Sequence, residues 1–117
     1  MKYKPEIRPK NWGMEKIIRN SEKYCGKLLI FKKGKRASWH RHEKKTETFY
    51  IISGKCLLKY GYDEELSTAQ SVLLCEDECF HIPTGLHHQV IALEDTIIME
   101  SSTEDFPDDS IRIVRGD

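Results

Sequence analysis

The chain carries no excess of charge of either sign: Lys plus Arg and Asp plus Glu both number 19 of 117 residues, so the formal net charge is zero. A neutral chain has no global electrostatic footprint for nucleic acid or membrane, which favours a small-molecule or protein partner. No apolar run approaches the roughly 20 residues that span a bilayer. The opening MKYKPEIRPKNW has no apolar centre, so no secretory signal is expected and the protein is expected in the cytoplasm. Repeats, low-complexity tracts and linkers are missing, and so is a helical period. The four cysteines, Cys25, Cys56, Cys75 and Cys79, are then expected as reduced, buried structural thiols. Cys75 and Cys79 lack the second Cys or His pair that would complete a zinc knuckle, and nothing else supports reading them as a redox pair.

What is present is the short strand bounded by turn residues. The length suits a single domain over 1–117, with an irregular N-terminal arm over about 1–13. Strand-like runs fall at 15–20, 24–33, 37–42, 48–53, 55–60, 67–75, 79–83, 88–93 and 96–101, with 111–114 a further candidate. This spacing predicts an all-β sandwich or barrel. Ser53–Gly54 and Leu93–Thr96 are short enough to predict hairpins. The acidic run EDFPDD reads as a solvated turn.

One stretch concentrates chemistry. GKRASWHRHEKKTETFYIISG places His40 and His42 two apart and Glu47 five further on, and PTGLHH supplies His88 behind a Pro83–Gly85 turn. Three imidazoles and a carboxylate are a ligand set for one divalent transition metal, with Zn, Mn, Fe, Ni and Co all compatible. Residues two apart on a strand share a face. His40 and His42 therefore point the same way, with Ser38, while Trp39 and Arg41 point out. Glu47 aligns with Phe49 and Ile51, and His88 with Val90 and Ala92. Polar groups aligned with core hydrophobics need a partner, and a shared cation supplies one. Lys45, two before Glu47, falls on the ligand face as a phosphate- or carboxylate-binding candidate, and His87 is a second substrate-contact candidate. By parity Trp39 and Tyr50 point outward as interface aromatics.

These residues resemble the cupin superfamily. Gly34, His40, His42, Glu47 and Gly54 match its first motif, G-x5-H-x-H-x3,4-E-x6-G; Pro83, Gly85 and His88 match the second. The second motif departs at Asp77, where a glycine is expected, and at Ala92, where an asparagine is expected. The resemblance implies a single-domain cupin, a β-barrel of jelly-roll type with the metal inside its mouth, and a homodimer. More finely, Asn11-Trp12-Gly13, HEKKTETFYIISG, PTGLHHQVIALEDTIIMESST and the closing DDSIRI resemble the mannose-6-phosphate isomerase-like cupins. That finer likeness implies a sugar or sugar-phosphate substrate and aldose–ketose isomerisation through a metal-bound enediolate. Such chemistry also needs a base, for which Lys45, His81 and Tyr60 are the candidates. Two alternatives are a non-catalytic sugar- or effector-binding cupin and an iron-dependent cupin dioxygenase.

Overall fold

A computed structural model describes all 117 residues. Eleven strands form two antiparallel sheets, with short 3-10 turns at Leu66–Thr68 and Pro107–Asp109. In chain order the strands are β1 (Glu6–Lys10), β2 (Gly13–Asn20), β3 (Cys25–Phe31), β4 (Trp39–His42), β5 (Glu47–Ser53) and β6 (Lys55–Gly61), followed by β7 (Gln70–Cys75), β8 (Cys79–Ile82), β9 (His87–Ala92), β10 (Thr96–Ser102) and β11 (Ser110–Val114). One sheet has the order β1-β2-β3-β10-β5-β8, the other β11-β4-β9-β6-β7. Alternation builds both inner faces. In β3 and β5 every second residue is buried, and Leu29, Phe31, Phe49, Ile51, Leu58, Val90, Ala92 and Ile98 meet in one core.

Neither of the two expected hairpins forms. β5 and β6 lie in different sheets, as do β9 and β10, so Ser53–Gly54 and Leu93–Thr96 are corners where the chain changes sheet. The corners interlock. Gly54 has φ +90, and a Cβ there would stand 2.3 Å from the Asp95 carbonyl oxygen. Adjacent strand-like runs read as a hairpin from spacing alone, because sequence separation does not say which sheet receives the next strand. From β3 onward only the β6–β7 connection stays within one sheet. This repeated crossing is what stacks β4 and β9 over β5 and produces the jelly roll.

The N-terminal arm is more regular than expected. Residues 6–10 form β1, paired with β2 from Glu6↔Ile17 to Lys10↔Gly13. Pro5 just before it and Pro9 within it hid the strand, but β1 is a sheet edge, where a missing N–H is tolerated. The expected departure at Asp77 also has a local explanation. Asp77 has φ +70, the left-handed conformation in which the family's glycine would be favoured. Its carboxylate accepts a hydrogen bond from the Tyr50 hydroxyl at 3.0 Å.

The four thiols are free but not uniformly buried. Cys25 and Cys56 are buried, Cys75 is half-buried and Cys79 is exposed, correcting the expectation of four buried thiols. Burial pushes the Cys56 thiol up to about 12, which keeps it protonated and unreactive.

Candidate metal centre

Strand register brings the histidines together. His40 on β4 is the direct cross-strand partner of His88 on β9, and His42 follows two residues along β4 on the same face. Glu47 enters from the opposite sheet, at the start of β5. The ring centroids of His40 lie 4.3 Å from His88 and 5.0 Å from His42, with His42 and His88 5.6 Å apart. One nitrogen from each of the three rings lies within 4.8 Å of the other two.

Backbone carbonyls decide which nitrogen faces inward. His40 Nδ1 lies 2.9 Å from the Ser38 carbonyl oxygen, and His88 Nδ1 lies 3.0 Å from that of Leu86. A carbonyl only accepts, so each Nδ1 carries the ring proton and each Nε2 keeps a bare lone pair. Burial pushes the pKa of both rings down, and the neighbouring imidazoles push further. Neutral imidazoles with aimed Nε2 atoms are the form that ligates metal.

The buried atoms here are short of partners. His88 Nε2 and Glu47 Oε2 have no aligned hydrogen bond, and neither has His42 Nδ1, which stands 3.9 Å from Asp109 Oδ2. His42 Nε2 stands 3.0 Å and His88 Nε2 3.9 Å from Glu47 Oε2. Although burial favours the protonated acid, His42, His88 and Lys45 hold the Glu47 carboxyl well below the usual carboxylate range. Two lone-pair nitrogens and an ionised oxygen at a buried site repel one another unless a cation lies between them. The donor set therefore fits a divalent metal held by His40, His42 and His88, with Glu47 beside them.

Beside this cluster lies a second buried group of charges. Lys45 Nζ is 3.0 Å from Glu100 Oε2, 3.0 Å from Asp105 Oδ1 and 3.7 Å from Glu47 Oε2. Lys27 Nζ is 3.0 Å from Asp105 Oδ2 and 3.8 Å from Glu15 Oε2. Burial opposes both ammonium charges, yet the surrounding carboxylates raise both lysine pKa values. Asp105 behaves conversely: burial pushes it up, but Lys45 and Lys27 hold it down at about 2. Glu100 is raised by its own burial and by the Glu47 charge.

The acidic run EDFPDD is consequently not a solvated turn. Asp105 belongs to this network, and Asp109 is buried beneath the β4–β5 loop. Asp109 Oδ1 accepts from the amides of Glu43 and Lys44, and Oδ2 from that of Lys45. The loop carrying Lys45, between His42 and Glu47, is thus clamped by an acid sixty-odd residues downstream. Sequence reading missed these roles because acids near prolines look like surface turns, and no local signal marks a long-range clamp.

The other expected residues are placed as follows. Lys45 lines the cavity, but the carboxylates it meets are the protein's own. His81 is exposed, with Nδ1 3.1 Å from Thr48 Oγ1. The Tyr60 hydroxyl donates to Gln70 Oε1, and its ring packs on Phe80. Neither His81 nor Tyr60 lines the cavity over the histidines. His87 is buried on the other face of β9, stacked 5.5 Å from Trp39, with Nδ1 3.2 Å from the Gly61 carbonyl oxygen. Trp39 corrects the expectation of an exposed interface aromatic: it is 0% exposed. Its parity is as expected, but the β6–β7 loop covers that face, and Trp39 Nε1 donates to the Glu64 carbonyl oxygen at 2.8 Å.

A cavity of about 240 Å³ opens above the cluster. Its walls include Trp12, stacked 4.0 Å on Phe31, and its mouth carries Arg8 and Lys10 from β1 and Arg112 from β11. These residues were not singled out from sequence; only Trp12 and Arg112 lay within stretches that carried the finer resemblance.

Residues 27–100 match the family described as Cupin domain. Among solved structures, the chain is similar to the capsular polysaccharide assembling protein CapF from Staphylococcus aureus, with a TM-score of 0.83 at 20% identity. That match covers 97% of this chain and 33% of CapF, so the chain spans about a third of that protein. KdgF from Halomonas sp. aligns with a TM-score of 0.74 at 17% identity, covering 88% of this chain and 91% of KdgF. Oxalate decarboxylase from Bacillus subtilis aligns at 0.77 and 20%, covering 93% of this chain and 30% of the enzyme. No curated protein matches the chain. At these identities the structural likenesses speak for the fold.

Proposed function

The chain belongs to the cupin family, and from that premise we propose that it is a metal-dependent protein acting on a sugar or sugar phosphate by aldose–ketose isomerisation. One observation carries the reading. Three histidines, two of them held with Nε2 inward, and an ionised carboxylate oxygen without an aligned hydrogen bond meet at the floor of a cavity open to a small molecule. When bound, a divalent cation there would supply Lewis acidity to vicinal oxygens of an open-chain sugar. The chain supplies the rest. Ser38 and Leu86 carbonyls hold two imidazoles in the ligating tautomer, Glu47 adds negative charge, and Trp12 and Phe31 form an apolar wall. The likeness to CapF, a capsular polysaccharide assembling protein, supports a carbohydrate-class ligand on this fold.

A second reading, sugar binding without turnover, is favoured by a specific feature. Of the three base candidates, His81 and Tyr60 stand outside the cavity and Lys45 is held by three carboxylates. The same experiment separates the readings. Protein purified without added metal is analysed for metal content, then incubated anaerobically in D₂O with a panel of aldoses and their phosphates. Metal at one per chain with ketose formation and solvent deuterium at C1 of that ketose is the expected result. Tight binding without deuterium incorporation would leave the binder, and iron with oxygen uptake in air would turn the assignment to the dioxygenase. Cytoplasmic location and homodimerisation remain part of the proposal; sedimentation measures the second, now without Trp39 as its anchor.

A further inference from the structure

The five cations lining the cavity fall into two kinds. Lys27 and Lys45, deep inside, are buried and matched by Glu15, Glu100 and Asp105. At the mouth, Lys10 and Arg112 form no ion pair with any carboxylate, and Arg8 is engaged only through Nε, 2.8 Å from Glu6 Oε2. The inner charges are neutralised by the protein, whereas the outer ones are left for something else.

Topology gathers the outer set. β1 is the edge of one sheet and β11 the edge of the other, and the two edges flank the same opening. A second depression adjoins the first, sharing Lys10, Trp12, Ser38 and Arg112 and adding Arg115. The acid in that depression, Asp117, forms no ion pair with these cations, and its Oδ2 accepts from the Arg36 amide at 2.6 Å. A continuous path therefore runs from the histidine cluster, past Trp12, to a shelf bearing Lys10, Arg112 and Arg115.

We propose that this rim is an anion subsite, in which Lys10 and Arg112, assisted by Arg8 and Arg115, hold a carboxylate or phosphate of a ligand whose other end reaches the histidine cluster. The assignment moves anion recognition from Lys45 to the two edge strands. It rests on the reading of the histidine cluster as a metal centre for a sugar-class ligand, and it narrows that class to acidic sugars or sugar phosphates. Guanidinium and ammonium groups divide the work in the usual way: Arg112 offers a planar fork to two oxygens, and Lys10 a mobile point charge.

The test uses zinc-loaded full-length protein titrated with glucuronate, glucose 6-phosphate and neutral glucose by calorimetry. At least one anionic probe is expected to bind about tenfold more tightly than glucose, the worth of a charge-assisted hydrogen bond. Preference for the phosphate ester or for the uronate identifies which anion the rim takes. The double variant Lys10→Gln plus Arg112→Gln is expected to lose that preference while keeping its zinc stoichiometry and its melting temperature. Equal affinity for glucose and both anions, or an anion preference undiminished in the variant, would overturn the proposal. Inorganic phosphate titrated into the metal-free protein reads the rim alone, through amide shifts at Lys10 and Arg112. Shifts there in a protein that takes up no zinc would keep the subsite and reject the metal centre; no shifts in a protein that does take up zinc would do the reverse.

Discussion

Two buried polar clusters share one cavity wall and meet at Glu47, yet they are built on opposite principles. Around Lys45 and Lys27, opposite charges are matched at 3.0 Å with Glu100 and Asp105, and the loop backbone is clamped by Asp109. Around His40, His42 and His88, backbone carbonyls fix two of the three rings, and His88 Nε2 and Glu47 Oε2 are then left facing one another without an aligned hydrogen bond. A cluster that satisfies itself holds structure together. One that is rigidly oriented yet unsatisfied is organised for something the chain does not contain. The charge of a side chain alone says little about function here; whether the protein has already answered that charge says more.

The sharpest way to break this contrast is to remove the centre of the satisfied cluster. Lys45→Met leaves Glu100 and Glu47 buried without their cation and Asp105 with Lys27 alone, and is expected to cost about 3–5 kcal/mol in urea unfolding. A loss of under about 1 kcal/mol would mean that the network contributes little and the contrast is false. The converse change is His40→Ala plus His42→Ala. It should abolish metal binding, while the metal-free form loses only about 1–2 kcal/mol, because side chains that line an open cavity give up little packing. Stoichiometric metal retained by this variant would reject the site.

Acid sharpens the comparison further. The folded Asp105 carboxyl is depressed from its ordinary 3.8 to about 2, so its stabilising contribution is complete above 3.8 and disappears as pH falls toward about 2. The difference in unfolding free energy between wild type and Asp105→Asn should therefore be largest above that range and close within it. A gap that stays constant through this window would show that Asp105 acts through packing or neutral hydrogen bonds. The smallest effect belongs to the rim. Lys10→Gln plus Arg112→Gln, which breaks no ion pair, should shift stability by no more than about 0.5 kcal/mol per site. A larger loss would place those cations in the structural cluster.

Much of the site was legible in the chain because its signals are local. His40 and His42 share a face by strand parity, and the pattern from Gly34 to Gly54 marks the family. The same parity aligned Glu47 with Phe49 and Ile51, all three of which are buried. The failures have a common cause in long-range packing. Trp39 points away from the barrel interior as parity requires, but a loop more than twenty residues downstream covers it. Asp105 and Asp109 looked like a solvated turn until the fold set them against the loop that carries Lys45.

The sequence by itself determined the all-β class, the ligand residues proposed for the metal and the faces on which they lie, since a period of two and a fixed spacing act within a few residues. Only the tertiary structure decided which charges are answered and which are free. That distinction depends on sheet crossings such as the one at Gly54, which juxtapose distant residues, and on burial, which makes an unanswered charge costly enough to carry meaning.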